Sequence, residues 1–102
     1  MNTFDFEVTI QGKGGHGSRP DRSINPIDCF ASIHTALHRL CPVGTQLVIK
    51  NIDGGSSSNI IPDRLTFSAA FRYTESAQLD AFRSDLDRVC SIFCDHYKCK
   101  VI

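Results

Sequence analysis

Two short runs constrain this chain more than anything else in it. Leu65, Phe67, Ala69, Phe71 and Tyr73 alternate with Thr66, Ser68, Ala70 and Arg72. Phe4, Phe6, Val8 and Ile10 alternate with Asp5, Glu7, Thr9 and Gln11. Successive side chains on a strand point to opposite faces, so each run predicts a strand with one face buried and one wet. Such a sheet needs a partner layer for its apolar face.

Two helical stripes supply that layer. Ile27, Phe30, Ala31, Ile33, Leu37 and Leu40 recur at three- and four-residue spacing. Asn25-Pro26 marks their start, with Asn as cap and Pro at the first helical position, and Asp28 suits the first turn. Cys41-Pro42-Val43-Gly44 ends the helix. The second stripe is Leu79, Phe82, Leu86, Val89, Cys90 and Phe93, capped by Thr74 or Ser76. Residues 45–52 predict a second strand, and a last one begins near Lys98. The order strand, helix, strand, strand, helix, strand predicts an α+β fold. It is a ferredoxin-like sandwich: a four-stranded antiparallel sheet with two helices on one face. The second strand then lies at an edge, where Val48 and Ile49 leave only Lys50 to blunt it, so pairing with another chain is expected.

With 102 residues there is room for one domain. Formal net charge is zero, which argues against nucleic acid or an anionic membrane as partner. No apolar run is long enough to span a bilayer, and no signal peptide is present. Five cysteines, an odd number, then read as reduced thiols of a cytoplasmic protein. Cys90, Cys94 and Cys99 crowd the end of the chain with His96 nearby. No second ligand pair has finger-like spacing, so buried thiols are expected there, not a metal site.

The stretch Gly12-Lys13-Gly14-Gly15-His16-Gly17-Ser18-Arg19-Pro20 places four glycines around one histidine. It matches Gly-x-Gly-x-x-Gly formally. A dinucleotide site, however, needs the last glycine to open a helix, and here Pro20 intervenes and the helix waits until Asn25. A P-loop fails because no Gly-Lys-Ser/Thr triplet exists. What remains is a loop that presents His16, its glycines leaving room for a substrate to approach. Asn59, after the glycine- and serine-rich loop that begins at Asp53, is a second candidate. Arg72, on the polar face of its strand, suits a carboxylate bidentately. His34, His38 and His96 fall on helices and read as structural. Glu7 and Glu75 are the only glutamates, and no His-x-Asp, His-Glu-x-x-His or Gly-x-Ser-x-Gly pattern occurs. The chain thus lacks the means to assemble a metal-water nucleophile.

In order along the chain, Gly-Lys-Gly-Gly-His-Gly-Ser-Arg-Pro-Asp, Asn25-Pro26-Ile27, Gly54-Gly55, Asn59-Ile60-Ile61-Pro62-Asp63 and Phe71-Arg72 resemble one known domain. It is the lid or dimerisation domain of the zinc-dependent amidohydrolase and carboxypeptidase family. That family includes aminoacylases, acetylornithine deacetylase, glutamate carboxypeptidase and N-acyl-amino-acid amidohydrolases. The resemblance implies a single domain over residues 1–102, inserted in a larger hydrolase whose catalytic domain carries one or two zinc ions. This chain itself would bind no metal and be inactive alone. The resemblance further implies a homodimer through the first helix and the edge second strand. In that dimer His16 reaches the partner subunit's active site as an oxyanion-hole donor, with Asn59 contacting substrate nearby and Arg72 binding the substrate's carboxylate. The rival reading is a non-enzymatic ligand- or RNA-binding module of the same fold, with Phe67, Phe71 and Tyr73 stacking bases. Phe67 and Phe71 share a face with Leu65, and net charge is zero, so it is disfavoured.

Overall fold

The computed structural model describes residues 1–18, 21, 23–55 and 59–102. Arg19, Pro20, Arg22 and residues 56–58, which the sequence assigns to loops, lie outside the described residues. The elements in chain order are β1 (Asn2–Gln11), β2 (Gly15–His16), α1 (Pro26–Leu40), β3 (Gln46–Asp53), β4 (Ile60–Ile61), β5 (Arg64–Tyr73), α2 (Ser76–Tyr97) and β6 (Lys100–Val101).

Four strands form one sheet in the order β3-β5-β1-β6, every neighbouring pair antiparallel. This is the expected α+β sandwich, with β3 at an edge. The sheet is built around the β1–β5 ladder, which runs without a slip from Asn2 opposite Tyr73 to Gln11 opposite Arg64. That register turns Val8, Ile10, Leu65, Phe67, Ala69 and Phe71 to one side, where all are buried. Both helices cover that side. Phe82 of α2 stacks on Phe71, ring centroids 4.0 Å apart and 8° from parallel. Phe30 of α1 packs on Phe67 at 5.0 Å. Phe6 meets Phe67 edge-on and also touches Phe82. The other face is polar: Thr9 and Thr66 share a hydrogen bond, and Lys50 reaches across β5 to Asp5 at 2.9 Å. That ion pair is exposed and adds little stability.

Helix α1 begins as the sequence predicts, with the Asn25 side chain accepting from the Ile27 N–H at 3.0 Å and Pro26 opening the first turn. The start of α2 differs. Its cap position is Glu75, not Thr74 or Ser76. Gln78 reaches back instead: its Oε1 accepts from the N–H groups of Thr74 and Glu75, each at 3.0 Å. The strand after α2 starts later than expected. The helix continues to Tyr97 and is closed by Lys98 in a left-handed conformation, φ 61°, with the Cys99 N–H donating to the Cys94 carbonyl at 2.9 Å. The last strand is therefore only Lys100–Val101. No helix among the described residues is long and apolar enough to cross a membrane.

Cys29, Cys90, Cys94 and Cys99 are buried and Cys41 partly so, the small-hydrophobe role expected of Cys90, Cys94 and Cys99. Burial, then the neighbouring Cys94 and Asp87, pushes the Cys90 thiol up from 9.0 to about 11. Cys29 is raised further by burial, then by Cys94 and Cys99. A thiol raised on folding stabilises the fold below its unfolded pKa and loses that contribution as pH climbs through the folded value. Urea midpoints are therefore expected to fall between about pH 9 and about pH 11. In Cys90→Ala this alkaline fall should be shallower, and an identical pH profile would rule out ionisation of this thiol as a cause.

Candidate functional site

The β1–β5 ladder ends at Gln11 and Arg64, and two loops leave the sheet from that end. They stay together. The Gly12 N–H donates to the Asp63 carbonyl at 2.8 Å, and the Gly14 N–H to Asp63 Oδ1 at 2.9 Å. Strands β2 and β4 then pair, Gly15 opposite Ile61 and His16 opposite Ile60. The Gly17 N–H closes the clamp on the Asn59 carbonyl at 2.9 Å. On its other side the loop is tied to the approach to α1, where Lys13 and Ile24 exchange two 2.8 Å backbone bonds. His16 and Asn59 thus stand close together beyond the Gln11–Arg64 end of the sheet, both exposed.

Sequence reasoning assigned the glycines to clearing space for a substrate. The structure corrects this for three of them. A Cβ on Gly12 would run into the Ile24 carbonyl, and one on Gly14 into the Ile61 carbonyl, with Pro62 C at 2.9 Å. A Cβ on Gly17 would sit 3.2 Å from the Asn59 carbonyl. These glycines let two backbones approach closely enough to bond, and none of them has a positive φ. Only Gly15 has room, its nearest neighbour being Ser23 Cβ at 3.7 Å. Asp63 was missed as a functional position. Pro62-Asp63 reads as a turn, yet both its carbonyl and its carboxylate hold the histidine loop. The signal was an acid beside a glycine loop rich in N–H donors.

Arg72 is exposed on the polar face of β5, as expected, but at the far end of the strand, opposite Gln46 and Thr3. Eight residues of strand separate it from Arg64, roughly 27 Å at ordinary strand rise. One chain does not bring Arg72 to His16 and Asn59. The other histidines serve packing. His34 lies against Phe30 and His38, its ring tilted 58° to that of His38 with centroids 4.4 Å apart, and His96 meets Tyr97 edge-on at 4.8 Å. Burial, then the neighbouring His38, lowers the pKa of His34.

A cleft of about 370 Å³ lies beside β4, walled by Asp53, Ile61, Asp63, Arg64 and Thr66. Neither His16 nor Asn59 lines it. Among the described residues no three His, Cys, Asp or Glu side chains converge to hold a metal ion. The donor set here does not suit a zinc centre. Phe67 and Phe71 are about 1% and 0% exposed beneath the helices, which removes the base-stacking platform that an RNA-binding reading needs.

The family of peptidase dimerisation domains matches residues 2–98. This chain belongs to that family. The dimerisation domain is similar to IAA-amino acid hydrolase ILR1-like 2 of Arabidopsis thaliana, 35% identical over 81 residues, covering 72% of this chain and 18% of that protein. It is also similar to thermostable carboxypeptidase 2 of Saccharolobus solfataricus, 30% identical over 98 residues, covering 90% of this chain and 25% of the relative. Among solved structures, an aminohydrolase from methicillin-resistant Staphylococcus aureus superposes with a TM-score of 0.87 at 27% identity, over 98% of this chain and 28% of that one. The dimerisation domain therefore spans about a fifth to a quarter of the length of these curated relatives.

If backbone clamping is what the glycines serve, Gly14→Ala should destabilise the domain by about 1–3 kcal/mol, the usual cost of forcing an extra methyl into packed space. Gly15→Ala should be close to neutral. Urea unfolding of the two variants checks this, and equal effects would count against the clamp.

Proposed function

We propose that this domain is the dimerising and substrate-capping part of a metal-dependent hydrolase. The parent enzyme cleaves the amide bond of N-acyl-amino acids or peptides, and its zinc is held by a catalytic domain outside this chain. The names of the relatives, an IAA-amino acid hydrolase and a carboxypeptidase, support that substrate class. Buried thiols without disulfides suit the cytoplasm.

In this reading two copies associate as a homodimer through β3 and α1. Strand β3 is an edge with Val48 and Ile52 about half exposed, and Ile27 and Leu40 are exposed on α1. Antiparallel pairing of β3 with its symmetry mate continues the sheet across a twofold axis and keeps all helices on one side. That operation reverses strand direction. The Arg72 end of one sheet then lies alongside the His16 end of its partner. The wide separation of Arg72 from His16 within one chain becomes an approach between chains.

The carrying observation is the backbone clamp that fixes His16 close to Asn59 beyond the end of the sheet. A histidine held this way and exposed suits a site supplied by another subunit. There an imidazole N–H donates to the oxygen that becomes anionic as the amide carbon turns tetrahedral. A preorganised donor stabilises that charge without reorganisation at the moment of reaction. Asn59 supplies a second polar contact next to it. The planar guanidinium of Arg72 takes the substrate's carboxylate in two parallel hydrogen bonds.

In the full-length enzyme, His16→Ala should lower kcat by 10²–10³, about 2.7–4 kcal/mol, with KM changed far less. Arg72→Ala should chiefly raise KM for substrates carrying a free carboxylate. An unchanged kcat in the His16 variant would make that residue structural. The 102-residue chain alone should show no zinc-dependent amide hydrolysis. Val48→Glu should move sedimentation of the protein toward the monomer, because like charges then face each other across the paired edges.

A further inference from the structure

A cluster of thiols has no part in the proposed chemistry. Cys29 on α1 and Cys94 on α2 have their sulfurs 3.9 Å apart in the core. Cys99, just beyond the left-handed turn at Lys98, is held there by its N–H bond to the Cys94 carbonyl. Cys90, Cys94 and Cys99 line a cleft of about 530 Å³ between α2 and β6. Cys29 does not line it and is fully buried behind. The arrangement is graded: thiols that a small molecule can reach from the cleft, backed by one that it cannot.

We propose that Cys29 and Cys94 are an oxidisable pair, closed to a disulfide between the two helices by a peroxide that enters through the cleft. The sulfur of Cys94 attacks one peroxide oxygen. The O–O bond breaks and water leaves, and Cys94 becomes a sulfenic acid. The sulfur of Cys29 then attacks the Cys94 sulfur and expels a second water. Two thiols are oxidised, and one hydrogen peroxide is reduced to two waters. Burial keeps both thiols protonated, so the reaction is slow and responds to sustained exposure more than to a brief pulse.

Cys99 also lies close to Cys29, but Cys94 is the one of the two that sits on α2. The sulfurs of Cys29 and Cys94 lie 3.9 Å apart without rearrangement of either helix. Residues 29 and 94 are distant in sequence, so the bond would close a long loop and restrict the unfolded chain. It would also tie α1, whose other flank borders the proposed dimer edge, to α2.

The test uses the reduced, untagged chain incubated with hydrogen peroxide. Expected are a mass loss of two hydrogens, one protease-derived peptide pair joining Cys29 to Cys94, and a melting temperature above that of the reduced form that returns when dithiothreitol is added. Cys29→Ala and Cys94→Ala should each abolish the linked peptide and the thermal shift, while Cys90→Ala keeps both. Circular dichroism of the reduced variants shows that they fold. Should a core alanine prevent folding, peptide mapping of the oxidised wild-type chain decides alone. A linked peptide joining Cys99 to either residue, or uptake of oxygen without loss of two hydrogens, would overturn the proposal.

Discussion

The ten-residue ladder between β1 and β5 is the constraint on which the rest depends. Its register decides which face of both strands is apolar, and so where the helices must lie. It also decides where the two strands end. Because Gln11 and Arg64 are opposite each other, the next residues out, Gly12 and Asp63, are already within bonding distance. The clamp around His16 is the ladder continued past the sheet by other means: a side-chain acceptor on Asp63, a two-residue β2–β4 pair, and a last bond to Asn59. A slip of one residue in the ladder would expose Phe67 and Phe71 and part the two loops in the same step.

Much of this was legible in the sequence because it is local. Period-two runs at residues 4–10 and 65–73, and the stripes at 27–40 and 79–93, each carry their own signal. So does the Asn25-Pro26 start. The edge position of β3 followed from element order alone. What was not legible depends on partners far along the chain. Gln78 caps α2 from inside the helix, and a glutamine has no special look in sequence. Lys98 takes a left-handed turn that glycine would have announced, so β6 starts later and is shorter than the sequence suggested.

The glycine loop shows the same limit at the candidate site. Its composition announced a loop with unusual backbone demands. Those demands proved to be closeness to Ile24, Ile61 and Asn59, not freedom around a ligand. Ile61 and Asn59 lie more than 40 residues from the glycines they face, and Ile24 lies 12 from Gly12, so alternation and spacing do not report these meetings. Arg72 illustrates the converse. Its face on β5 could be read from alternation, but its distance from His16 needed the strand's direction and length.

The domain is elongated, 47 by 24 by 20 Å. His16 sits on a loop that backbone bonds tie to two other segments. A rigid arm of that length acts as a lever, so a turn of a few degrees about its far side would carry the imidazole by several ångström. In the proposed dimer, the seam at β3 would thereby set where the histidine stands relative to the partner subunit.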